Sequence, residues 1–140
     1  MYDSCQKKQS EIKALFAPLS SDEEKYGKII DLGRNLPPFP QDAKTPLNEV
    51  KGCQSVMHLL TTKKDQKLYF QAESDALISK GLAALLIYVY SGEPAEAILK
   101  CPPTYLEEIG ITASLTPNRA NGLYSIHLRM KQEALKSLIN

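Results

Sequence analysis

The sequence predicts an α+β domain in which a small antiparallel sheet of about three strands packs against helices. Three observations carry that expectation. Apolar residues recur at helical spacing near both ends of the chain, two β-favouring runs separated by a polar turn lie in the middle, and a strongly apolar helical stretch follows the second run. With 140 residues, 43% of them hydrophobic and 24% charged, residues 1–140 are expected to fold as a single domain around its own core.

The elements follow in order. Ile12, Leu15, Phe16 and Leu19 form a helical stripe within a first helix over about 4–17, ended by Pro18. Ser21 with Glu24 makes a capping box for a second helix over about 22–34, and Asp22 and Glu23 complement its positive N-terminus. That helix is expected to bury Tyr26, Ile29, Ile30 and Leu32. Pro37, Pro38, Pro40 and Pro46 then forbid regular structure, while Leu36, Phe39, Leu47 and Val50 argue that this irregular segment packs.

Residues 54–62 and 66–73 read as strands around the turn KKDQ, with a short third strand expected near Val50. Ser74 or Asp75 is expected to cap a central buried helix that ends at Gly92. Gly81 within it costs about 1 kcal/mol against Ala and implies close packing. Short helices are expected over about 94–100, and over 104–110 with Thr104 and Glu107 as a capping box and Gly110 as the stop. Thr116 and Pro117 start the last helix, with Leu123, Ile126, Met130, Ala134 and Leu138 on one stripe.

Composition excludes several functions. Seventeen basic against sixteen acidic residues give a net charge of +1, which offers no general attraction for nucleic acid. The longest apolar run, Leu82 to Tyr90, is far short of the ~20 residues needed to span a membrane. The start MYDSCQKKQS has no apolar secretory region, so a cytoplasmic chain with reduced thiols is expected. No G-x-G-x-x-G, Walker loop, C-x-x-C or Cys/His cluster occurs, which argues against a nucleotide site, a resident metal site or a dithiol oxidoreductase. His58 and His127 read as structural, and so do Cys5 and Cys101.

Cys53 is the distinctive position. Gly52 before it allows a backbone conformation closed to other residues, which puts the thiol at the tip of a turn. Lys51 nearby would lower the thiol pKa. The alternative is a small buried core cysteine. Arg119, in the first turn of the last helix, is a cation set against the helix dipole and needs either an acidic partner or a role at the site.

Residues 50–55 (VKGCQS), 74–90 (SDALISKGLAALLIYVY) and 115–122 (LTPNRANG) stand in one order and spacing. Together they resemble the SufE family of sulfur acceptors, whose members show a GCQS cysteine loop, an SDA-x-I-x-KG helix start and an LTPSR-x-xG helix start. The similarity runs from about residue 8 to residue 136. The resemblance implies a SufE/iron–sulfur scaffold-like fold and a sulfur relay. Cys53 would accept persulfide sulfur from a pyridoxal-phosphate cysteine desulfurase (SufS-like), stimulate that enzyme, and pass the sulfur to an iron–sulfur assembly scaffold (SufBCD-like). Such a carrier needs no cofactor of its own and has no independent turnover; whether it is a monomer or a weak homodimer stays open. The competing reading is an interaction module that binds a partner without carrying sulfur.

The resemblance also implies that the thiol is sheltered by apolar residues of the central helix and the loop. It gives Asp75 a role near the cysteine loop and in desulfurase docking, beside the plain reading of a helix N-cap. Gln54 and Ser55 are expected to shape the loop, and Asn121 and Gly122 to let the last helix approach it. The chain departs from the family after GCQS, where Val56, Met57 and His58 stand in place of the usual Gln-Val-Trp.

Overall fold

The computed structural model describes residues 2–139. Helix α1 (Asp3–Phe16) buries Cys5, Gln9, Ile12 and Phe16, whose spacings of three and four put them on one face. Leu15, expected in that stripe, is exposed. Helix α2 (Asp22–Arg34) has the expected capping box, with Ser21 Oγ accepting from the Glu24 N–H and the Glu24 carboxylate accepting from the Ser21 N–H. Ile29 is fully buried, whereas Tyr26, Ile30 and Leu32 are half-buried.

The proline segment is irregular, with 3-10 turns at Gln41–Ala43 and Pro46–Asn48. Phe39 and Val50 pack as expected, but Leu47 is 85% exposed. Arg129, from the last helix, straps the segment down by donating to the carbonyls of Glu49 and Leu47.

Strands β1 (Met57–Lys64) and β2 (Lys67–Ser74) pair antiparallel, from Met57 opposite Ser74 to Lys64 opposite Lys67. They run further into the expected turn because Asp65 and Gln66 both adopt positive φ, 54° and 66°, the geometry of a two-residue hairpin turn matched to strand twist. Among the described residues the sheet has two strands, not three. The expected third strand reduces to a single bridge between Glu49 and His58, with the Val50 N–H donating to the Met57 carbonyl at 2.8 Å. The chain turns away at Gly52 before it can pair further.

Helix α3 (Leu77–Tyr90) is buried along most of its length and packs against α1, α2, β2 and the last helix, as the apolar run predicts. Its N-cap is Ala76, with no side-chain cap; Ser74 Oγ instead accepts from the Ala76 N–H at 3.2 Å, so neither Ser74 nor Asp75 caps the helix. Gly81 explains itself here. A Cβ on the facing Gly33 of α2 would lie 2.7 Å from the Gly81 nitrogen, and a Cβ on Gly81 would strike the Ile29 carbonyl. The two backbones approach more closely than any side chain permits.

Three short helices follow: α4 (Ala95–Lys100), α5 (Thr104–Glu108) and α6 (Ile111–Ser114), the last a turn that periodicity over four residues cannot reveal. Thr104 falls inside α5 rather than ahead of it, and no capping box forms. Helix α7 (Pro117–Ile139) buries Leu123, Ile126, Met130 and Ala134, while Leu138, expected on that stripe, is 56% exposed.

Candidate functional site

Residues 51–56 form a loop whose base is pinched by the Val50–Met57 hydrogen bond. At the turn, Gly52 has φ +89°, and a Cβ there would run into Ser125 Oγ of α7. Glycine is therefore required on two counts, conformation and space. The turn points the Cys53 side chain inward: its thiol donates to the Gly122 carbonyl of α7 with an S···O distance of 3.8 Å. Downstream, Ser55 Oγ and Ser79 Oγ of α3 share a 2.7 Å hydrogen bond. The loop is thus laid across the junction of α3 and α7 and tethered to both.

Beneath it lies a cavity of about 510 Å³ that Cys53 lines. Buried Leu82 and Ile126, with half-buried Ile78, give it an apolar floor; Ser55, Ser79, Asn118 and Arg119 add polar groups. The volume is many times that of one additional sulfur atom, so a side chain one sulfur longer than cysteine fits without displacing the walls. Burial pushes the Cys53 thiol up from its usual pKa, and among the described residues no cation offsets it. The expected activation by Lys51 is thereby corrected. Lys51 is exposed and lines a different hollow, with Glu49, Arg129 and Leu135, because the turn at Gly52 sends consecutive side chains apart.

Of the residues singled out from sequence, Cys53, Gln54, Ser55, Arg119 and Gly122 all line this cavity, and Gly52 shapes its loop. Asn121 is exposed on α7 and does not line it. Asp75 is exposed too; it borders a separate hollow with Lys44, Val56, His58 and Glu73. Arg119 finds compensation for its place near the α7 N-terminus in the Tyr26 ring, whose centroid lies 5.8 Å from the guanidinium carbon. Gly122 is not needed for close approach: a Cβ there would sit 3.8 Å from Cys53 Sγ, ordinary contact. His58, which stands where the family has Trp, packs its ring against Phe39 at a centroid distance of 6.3 Å.

Ile78 and Leu82 are among the apolar central-helix residues expected to shelter the thiol, whereas sequence reasoning missed Ser79, Asn118 and Ile126. A usable signal was present. Arg119, Gly122 and Ile126 are three and four residues apart, so one face of α7 carries them all. Ile78, Ser79 and Leu82 share a face of α3 by the same rule. Among the described residues no group of three or more His, Cys, Asp or Glu side chains stands together as metal ligands, and no helix is long and apolar enough to cross a membrane.

Fold and site together define a small α+β protein that presents a loop thiol to a half-apolar cavity between two helices. The chain belongs to the SufE family: the family model, described as an Fe-S metabolism associated domain, matches residues 10–134. It is 39% identical over 124 residues to an uncharacterized SufE-like protein of Rhizobium meliloti (strain 1021), covering 85% of this chain and 89% of that one. It is 32% identical over 117 residues to the sulfur acceptor protein CsdE of Escherichia coli (strain K12), covering 82% and 80%. The solution structure of a hypothetical protein from Thermus thermophilus matches with a TM-score of 0.78 at 26% identity, covering 95% of this chain and 97% of that one.

Proposed function

We propose that this chain is a sulfur acceptor and carrier, with Cys53 taking sulfur from the persulfide of a pyridoxal-phosphate cysteine desulfurase and passing it to an iron–sulfur assembly scaffold. The observation that carries this reading is the Cys53 thiol turned from a tethered loop into a cavity with room for one more sulfur. Membership of the SufE family and similarity to a protein named a sulfur acceptor support it.

The chemistry is sulfur-for-sulfur exchange. Cys53, as thiolate, attacks the terminal sulfur of the donor's persulfide. The donor's S–S bond breaks, its cysteine leaves as thiolate and takes up the proton that Cys53 gave up, and Cys53 becomes a persulfide. No net oxidation occurs, and the pyridoxal phosphate belongs to the donor.

The raised thiol pKa fits this cycle. In the tucked position the thiol stays protonated and slow towards stray electrophiles. Swinging the loop outward removes the burial that raises the pKa, so the nucleophile forms as it enters the donor's site. After transfer, the persulfide folds back against the apolar floor made by Leu82 and Ile126. Arg119 and Asn118 line the same cavity and offer donors to a perthiolate there.

Incubation with a cysteine desulfurase and cysteine, followed by mass spectrometry, tests the reading. The expected product is one sulfur atom added at Cys53, absent from Cys53→Ser, which folds normally and fails to stimulate the desulfurase. A chain that binds the desulfurase but never gains sulfur would instead be an interaction module, and an adduct at Cys5 or Cys101 would overturn the site.

A further inference from the structure

The cavity under Cys53 is far larger than one sulfur atom requires. At about 510 Å³ it falls within the size range of pockets that hold whole small molecules. It is also built asymmetrically. Leu82 and Ile126 on its floor are buried, while Gln54, Thr116 and Asn118, which line it too, are exposed, so the hollow opens to solvent along a polar rim. Cys53, half-buried and tucked against the Gly122 carbonyl, is therefore open to a molecule that enters from water.

Among the described residues that line this cavity, Arg119 alone carries a charge. Its guanidinium carbon lies 5.8 Å from the centroid of the Tyr26 ring, and the Tyr26 hydroxyl is itself anchored by donating to the Ser114 carbonyl. A ring face steadies a guanidinium but occupies none of its five N–H donors in the plane. Among the described residues no carboxylate pairs with Arg119. A half-buried fork, held in place without an anion on the wall of a ligand-sized cavity, matches a planar carboxylate. The sulfur is one turn of α7 away, since the Gly122 carbonyl that accepts from Cys53 is three residues beyond Arg119.

We propose that this cavity takes small thiols bearing a carboxylate, free cysteine or a cysteinyl peptide, and that the Cys53 persulfide discharges its outer sulfur to them. The product is a low-molecular-weight persulfide. This activity presupposes Cys53 as a sulfur carrier and adds a soluble acceptor to the protein one.

The bound thiol loses its proton and attacks the outer sulfur of the Cys53 persulfide. The S–S bond at Cys53 breaks, Cys53 leaves as thiolate and takes up that proton, and the outer sulfur departs on the small thiol. One S–S bond breaks and one forms, so nothing is oxidised or reduced overall. Burial favours the protonated Cys53 that results. Two guanidinium N–H donors of Arg119 suffice for the carboxylate, which leaves others for the perthiolate. A thiol without a carboxylate gains no such hold, so the cavity selects its acceptor.

The test loads the full chain with inorganic polysulfide, desalts it and maps the added sulfur to Cys53 by proteolysis and mass spectrometry. Cysteine, cysteinamide, glutathione and glutathione diethyl ester are then compared at equal thiolate concentration, with the released persulfide trapped by monobromobimane. The expected result is a saturable rate for the two carboxylate-bearing thiols, roughly tenfold above their blocked counterparts, as one charge-assisted hydrogen bond provides. The faster of cysteine and glutathione tells whether the free amino acid or the peptide is the natural acceptor. In Arg119→Gln the preference for a carboxylate falls to within about twofold of unity, and Arg119→Lys, which keeps the charge and loses the fork, restores part of it. Equal wild-type rates for each thiol and its blocked counterpart overturn the proposal. So does release of hydrogen sulfide with the thiol left on Cys53, which marks attack on the inner sulfur. Loading is read first and needs no desulfurase: a chain that takes up no sulfur at Cys53 refutes the carrier reading itself, whereas a loaded chain without carboxylate preference refutes only the small-thiol acceptor.

Discussion

Ser55 Oγ lies 2.7 Å from Ser79 Oγ, and this hydroxyl pair ties the limb of the cysteine loop that follows Cys53 to the first turn of the central helix. The other tether of the loop is the weaker one from the Cys53 thiol itself to the Gly122 carbonyl. How readily Cys53 leaves its cavity therefore depends also on Ser79, a residue of the cavity wall.

Ser79→Ala leaves the Ser55 hydroxyl without its partner and costs about 1 kcal/mol. The loss falls on the tucked loop, so Cys53 is expected to react with iodoacetamide several-fold faster while thermal unfolding shifts by only a few degrees. An unchanged alkylation rate would show that the pair does not gate the loop.

Gly52→Ala forces an L side chain into positive φ and onto Ser125. A cost on the order of 1–3 kcal/mol is expected. The same change should lower sulfur transfer to Cys53, because the turn that aims the thiol is displaced; Gly52→Ala combined with Ser125→Gly relieves the clash but not the φ strain, so partial recovery separates the two causes.

The pH response of Cys53 has a definite sign. Burial raises its pKa in the folded protein, so the native state holds this proton more tightly than the unfolded chain. The resulting stability is present in full below the ordinary thiol value of about 8.5 and is lost as pH rises through the folded value. Alkylation of native Cys53 should reach half its maximal rate at a higher pH than in the denatured chain, measured by peptide mapping of a pH series. A native midpoint at or below the denatured one would mean that a cation, not burial, governs the thiol.

Gly122→Ala should stabilise α7 by up to about 1 kcal/mol, since the position is helical and its Cβ meets Cys53 Sγ at an ordinary 3.8 Å. The methyl group occupies space beside the sulfur, so the variant is expected to fold better and hold persulfide less well. Persulfide lifetime after loading, followed by mass spectrometry, reads this directly; equal lifetimes would place the extra sulfur on another side of the cavity.

Local rules recovered what local rules govern. The Ser21–Glu24 box, the buried run of α3 and the left-handed Gly110 follow from residues within a few positions of one another. The Cys53 loop was legible because its three motifs occur together. What escaped depends on distant partners or on side-chain direction. Lys51 is two residues from Cys53 yet points to another hollow, and Leu138 continues the α7 stripe to a shallow hollow beside Tyr2 and Pro94 that leaves it 56% exposed. Likewise, no spacing rule joins Gln9 to Cys101; only the packing of α1 does.

The single Val50–Met57 hydrogen bond at the root of the 51–56 segment has an engineering consequence. Entry and exit of the segment sit side by side on the edge of the hairpin, so its outward residues, Lys51 and Val56, can be exchanged without re-registering β1 against β2, while Gly52, Cys53 and Ser55 are fixed by the turn, the cavity and the tie to α3. The hydrophobic interior that supports the segment stays as it is through such edits.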